Sequence, residues 1–140
     1  MRIYKPIERW FPMPDDPDKS EHLIRHLTPG EILDTVNDAT EQETKYTIDD
    51  SENLVPEILS HTKSGEIPKA QFMLALAGWK NMFDENGKDL KFNEENKIRA
   101  MREIEGYLAF VTDCRNTLAA DVVKEAGARR KNSPASRSKA

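Results

Sequence analysis

The chain has 140 residues and a formal net charge of −4, with 37% apolar and 33% charged residues. The apolar share is low and the charged share high for a globular protein, so the core must be small, and either some segments stay disordered or an apolar face awaits a partner. The one cysteine, Cys114, excludes an intramolecular disulfide, and no apolar run approaches the roughly 18 residues of a membrane span.

Charge is unevenly spread. Residues 124–140 carry Lys124, Arg129, Arg130, Lys131, Arg137 and Lys139 against Glu125 alone, which leaves an acidic body with a basic tail. An acidic body argues against a nucleic-acid face on the folded part. Met1 to Trp10 alternates charged and apolar residues with no signal-peptide h-region, so the expected location is the cytoplasm of the producing cell.

Residues 1–20 hold Pro6, Pro12, Pro14 and Pro17, which fix φ and remove donors, so an extended arm is expected. Trp10, Phe11 and Met13 either clip it onto the domain or form an exposed docking motif. Residues 21–27 suit a strand. Thr28, Pro29 and Glu31 then spell an N-cap, a first-turn proline and a capping box. Ile32, Leu33 and Val36 give that helix an apolar face, and it should fade between Asn37 and Thr40. Residues 40–53 read as a polar loop with a possible short strand at Thr44 to Ile48. Leu54 to Leu59 reads as a brief helix starting near Pro56.

From Pro68 the spacing of Phe72, Leu76, Trp79 and Phe83 predicts a second helix, with strand as the alternative. Asn86-Gly87 predicts a tight hairpin or turn over 82–92, because both residues tolerate positive φ. Asn93 caps the longest helix, with Glu94 and Glu95 in the first turn and Glu95 four residues before Arg99. Its stripe runs Ile98, Met101, Ile104, Leu108, Val111, Cys114, Leu118 and Val122. A helix from 94 to 126 would be on the order of 48 Å long at ~1.5 Å per residue. It either breaks, near Asp113 to Thr117, or projects onto something else. Gly127 is a natural C-cap.

The expected fold is mainly α, that is α+β with a minor β component. It comprises an extended proline-rich arm over 1–20, a single α-rich domain over 21–127 and a disordered basic tail over 128–140.

Chemistry-bearing patterns are thin. His22 and His26 follow Glu21 rather than enclosing it, unlike the H-E-x-x-H zinc arrangement, and two partly exposed histidines are expected. Asp84, Asn86 and Glu95 stand at positions 1, 3 and 12 of a calcium loop, but Lys88 and Asp89 occupy positions 5 and 6 where a ligand and glycine belong. Cys114, within an apolar stripe, should be a buried inert thiol. No nucleophile pattern, phosphate loop or dinucleotide fingerprint is present. The expectation is a non-enzyme with no cofactor and no metal. The basic tail (Arg129, Arg130, Lys131, Arg137, Lys139) could reach an acidic partner; nucleic acid is disfavoured for want of stacking aromatics.

Leu76 to Lys97 carries Gly78-Trp79, an Asp84-x-x-Gly87 turn, a Leu90-x-Phe92 step and Asn93-Glu94 opening a helix. This stretch resembles tail assembly chaperones and related small tail proteins of bacteriophages and prophages. Leu23 to Glu31 is similar to the strand, Leu-Thr, helix opening of such proteins. The resemblance implies a protein of the bacterial host cytoplasm that binds the helical tape-measure protein, keeps it soluble and engages tail-tube subunits. Trp79, Phe83, Ile98, Met101, Ile104, Leu108 and Val111 are then candidates for either core or partner contact. A homo-oligomer is possible. The alternative is a small prophage regulatory or adaptor protein that binds nucleic acid or an acidic partner through its basic tail.

Overall fold

The computed structural model describes residues 1–131, with Arg129 to Lys131 described as backbone only. Among the described residues there are five strands and four helices. They are β1 (Glu8–Pro12), β2 (Glu21–Arg25), α1 (Pro29–Asp38), β3 (Thr40–Ile48), β4 (Leu54–Thr62), α2 (Glu66–Ala75), β5 (Leu76–Lys80), α3 (Glu94–Glu103) and α4 (Tyr107–Lys131). The fold is α+β, with two antiparallel sheets where a minor β component was expected. Contacts gather into two compact units: Met1–Leu27 with the chain from Phe72 onward, and Thr28–Gln71.

The first unit is built on the sheet β1-β2-β5, antiparallel throughout. Part of the expected arm is therefore an edge strand. Phe11 and Met13 pack on the core, while Trp10 is 39% exposed with the Lys80 ammonium 4.3 Å from its ring centre. On the central strand β2, His22 and Ile24 alternate inward. The second helix ends at Ala75, and over Leu76 to Lys80 the strand alternative holds, paired with β2. The 4-3-4 apolar spacing of this segment is real, but an unpaired edge of β2 offers five residues a ladder that a fraying helix end does not. Gly78 lies in this strand against Leu23 and the Trp10 ring, with room for a Cβ at ordinary van der Waals distance.

The helix expected over 94–126 is two helices. Asn93 caps α3, its side chain accepting from Asn96 N at 2.8 Å, but α3 stops at Glu103. Gly106 takes φ +77, a conformation that suits glycine, and the chain restarts as α4. The break thus falls at 104–106, not at Asp113 to Thr117. Gly127 does not cap α4, which runs through it to Lys131; the first four residues of the expected tail are helical, and the remainder lies outside the described residues. Arg99 pairs with Glu103 at 2.6 Å and Glu85 at 2.5 Å rather than with Glu95, tying α3 to the preceding turn.

The core of this unit joins Ile24 and Leu27 to Phe72, Leu76 and Ala100, and to Tyr107, Val111, Cys114 and Leu118 of α4. Steps of 4, 3 and 4 put the four α4 residues on one face. Full burial of side chains such as Phe72, Ile24, Leu76, Leu118 and Val111 stabilises by roughly 1.5–3 kcal/mol each.

The 82–92 turn forms, but not through paired positive φ at Asn86-Gly87. Only Gly87 is left-handed, at φ +76. Asp84 organises the rest: its Oδ1 accepts from Asn86 N at 2.9 Å and Lys88 N at 3.0 Å, while Leu90 N donates to Met82 O at 2.8 Å. An aspartate folding back on its own turn is the cause.

The second unit opens with α1, where the capping box is complete. Thr28 Oγ1 accepts from Glu31 N at 3.2 Å, and Thr28 N donates to Glu31 Oε1 at 3.1 Å. The brief helix expected over Leu54 to Leu59 does not form. The segment is strand β4, paired with β3 along nine residues from Thr40–Thr62 to Ile48–Leu54. β-branched residues at 44, 47, 48, 55 and 58 favour this ribbon. Asp49 sets the reversal, its Oδ1 accepting from Ser51 N and Asn53 N, with Glu52 at φ +60.

Candidate functional site

Two places in the molecule concentrate features a function could use. One is a cleft in the first unit, and the other is the β3-β4 ribbon.

The cleft has a volume of about 360 Å³ and is lined in part by Met13, Asp16, His22, Phe83, Ile104 and Tyr107. Its floor is a polar chain running from the half-buried Asp16 to the buried Ser20, His22 and Tyr107. His22 Nδ1 lies 2.8 Å from the Tyr107 hydroxyl, and Nε2 lies 2.9 Å from Ser20 Oγ. Ser20 in turn bonds Asp16 through its side chain, and its N–H donates to Asp16 Oδ2 at 3.0 Å. The histidine is fully buried, not partly exposed as expected. Burial pushes its pKa down to about 4, outweighing the opposing Asp16 charge. The imidazole is therefore neutral near pH 7.

Asp16, held below the usual carboxylate range by its Ser20 bonds, can only accept. That fixes the direction of the chain. Ser20 gives its proton to Asp16, His22 Nε2–H donates to Ser20, and Tyr107 O–H donates to Nδ1. A serine whose proton faces a carboxylate and whose histidine donates to it is arranged opposite to an activated nucleophile. Every member is satisfied, so the chain locks β2 to α4. Burial also raises the Tyr107 phenol above its ordinary value and the Cys114 thiol to about 11, with Asp113 adding to the latter. Both stay protonated.

The expected site residues do not form one stripe. Val111 is fully buried; Trp79, Met101 and Leu108 are partly buried and pack on the core; Ile98 is half-buried on α3. Trp79 is fastened by Nε1–H donation to Leu90 O at 2.8 Å and stands edge-on to Phe92. Phe83 and Ile104, 43% and 38% exposed, come together at the cleft. Of the basic residues, Arg129, Arg130 and Lys131 lie on the last turn of α4, while Arg137 and Lys139 lie outside the described residues.

The β3-β4 ribbon carries what sequence reading missed. Because pairing runs even to even and odd to odd, side chains sort cleanly by face. One face holds Glu41, Glu43, Lys45 and Glu57. The other holds Tyr46, Ile48, Leu54, Pro56 and Ile58 with threonines, serine and glutamine, and has no charge at all. Tyr46, Ile48, Leu54 and Ile58 are each more than 60% exposed. Within the same unit, Ile32, Leu33 and Val36 of α1 are also exposed. The signal was available in the alternation through Thr44 to Ile48, but the face is apparent only once register is known.

Among the described residues no group of three or more His, Cys, Asp or Glu could hold a metal ion, and no helix is long and apolar enough to cross a membrane. No family model, curated protein or solved structure matches the chain.

Proposed function

We propose that this protein is a non-enzymatic binding factor, a tail assembly chaperone of a phage or prophage that shields an apolar helical face of the tape-measure protein in the host cytoplasm. The observation that carries this reading is the uncharged face of the β3-β4 ribbon. A nine-residue hairpin that displays Tyr46, Ile48, Leu54 and Ile58 to solvent holds an apolar patch that an assembly partner would cover. The resemblance in Leu76 to Lys97 supplies the identity of that partner. Within that stretch Trp79 and the Asp84 turn are engaged in packing and turn formation.

The test is co-expression with the tape-measure protein encoded beside this gene. The wild-type chain keeps that protein soluble and co-purifies with it. Tyr46→Lys combined with Ile58→Lys loses both effects while near-ultraviolet dichroism of the Tyr107 core is unchanged. Failure of the wild type to rescue solubility or to co-purify contradicts the proposal.

A further inference from the structure

The outer edge of β3 has a property separate from the ribbon's faces. Asp49 N donates to Asn53 O at 3.0 Å at one end of the hairpin, and Lys63 N donates to Ala39 O at 2.8 Å at the other. Both pairs are odd-numbered, and the register between them is unbroken. In an antiparallel ladder bonded pairs alternate with unbonded ones. The odd residues therefore bond across the hairpin, and the even residues turn their N–H and C=O outward.

The two edges are not equivalent. On β4 the outward residues include Pro56, which has no N–H and blunts that edge. On β3 they are Thr40, Gln42, Thr44, Tyr46 and Ile48, all with donors, along a strand exposed from Glu41 to Ile48. This is an open edge nine residues long in a sheet of only two strands, and such ribbons are marginal in water until further strands join.

We propose that a second copy of this chain pairs antiparallel along the outer edge of β3, with Thr44 opposite Thr44 of the second copy, giving a four-stranded sheet. The edge's own charges select both the occupant and the register. Outward even residues must face outward even residues, so allowed registers differ by two. Centred on Thr44, the pairing sets Glu43 opposite Lys45 of the copy, and Lys45 opposite Glu43. Glu41 then faces Thr47, and Gln42 faces Tyr46. No like charges meet. A symmetric pairing centred on residue 43 puts Glu43 against Glu43, and one centred on residue 45 puts Lys45 against Lys45. Opposite charges directly across strands stabilise pairing and like charges oppose it. The strand is thus complementary to itself about Thr44, and twofold symmetry doubles the Glu-Lys contact. This pairing uses the strand edge, so it does not depend on which client covers the apolar face.

Cysteine cross-linking of the full chain, with sedimentation of charge variants, tests it. Paired residues in the bonded position lie about 5.5 Å apart between Cα atoms, within disulfide reach. Thr44→Cys should give a covalent dimer under mild oxidation. Gln42→Cys should not, because the two copies of residue 42 then lie roughly 13 Å apart. Cys114 is buried and does not compete. By sedimentation, Glu43→Lys and Lys45→Glu should each raise the dimer dissociation constant about tenfold, and an equimolar mixture of the two should recover dimer through Lys-Glu pairs in both directions. Thr44→Pro, which removes an outward N–H as Pro56 does on β4, should abolish the dimer. A monomeric wild type, equal cross-linking at positions 42 and 44, or variants that leave the dissociation constant unchanged would overturn the proposal.

Discussion

The two units of this chain stabilise themselves by different means. In the first, apolar side chains from β2, β5, α3 and α4 close around Tyr107, and the polar chain Asp16-Ser20-His22-Tyr107 is fully satisfied. In the second, Thr35 and Ala39 are the buried residues among those described, and the large apolar side chains of β3, β4 and α1 face solvent. Its order comes from a capping box, an Asp49 turn and a nine-residue ladder. Backbone bonds alone contribute little net stability in water. A unit held mainly by them is the one expected to gain most from a partner.

Breaking the core should separate the units most sharply. Leu118→Ala, at a site with no solvent exposure, should cost about 2–5 kcal/mol in denaturant unfolding of the first unit. A loss below ~1 kcal/mol would mean α4 is not what closes that core.

Acid should act on the same unit. His22 titrates at about 4 in the folded state against 6.5 when free. Between those values the unfolded chain binds a proton that the folded chain does not. The contribution is therefore complete above pH 6.5 and declines as pH falls toward 4, by an amount on the order of 3 kcal/mol. Asp16, also lowered, adds to the loss below its unfolded pKa. His22→Gln should flatten the pH 4–6.5 part of the stability profile; an unchanged slope would remove His22 as its source.

Smaller effects probe the turns and the exposed ribbon. Thr28→Ala removes the side-chain half of the capping box, leaving the backbone N–H of residue 28 on Glu31, and should cost about 1 kcal/mol, read from the helical signal of the second unit. Tyr46→Lys should change the stability of the isolated chain by less than ~0.5 kcal/mol, since the side chain is 63% exposed. A large destabilisation would show that the apolar face is already covered within the chain.

Local rules were readable where a few neighbouring residues decide the outcome. Thr28-Pro29-x-Glu31 built its helix start, Asn93 capped α3, the strand expected over 21–27 formed over Glu21–Arg25, and Cys114 took its place on the buried face of α4. Readings failed where distant pairing decides. Leu76 to Lys80 has helical spacing but is held by β2, more than fifty residues earlier. Leu54 to Leu59 becomes strand because β3 lies opposite it. The long helix breaks at Gly106, which the apolar stripe runs straight across because Ile104 and Leu108 keep the spacing. The candidate surface was obscured for the same reason: the neutral face of Tyr46, Ile48, Leu54 and Ile58 is assembled from two strands, neither of which shows it alone.

The ribbon's odd amides are satisfied within the hairpin, and its even β3 amides await another strand. Residue-resolved hydrogen exchange, followed as the full chain is concentrated, measures this directly. At low concentration Glu43, Lys45 and Thr47 should be protected while Gln42, Thr44 and Tyr46 exchange rapidly. As concentration rises those three should slow together, while Ile58 and Ser60 on the opposite edge stay fast. Even and odd β3 amides exchanging alike at every concentration would contradict the account.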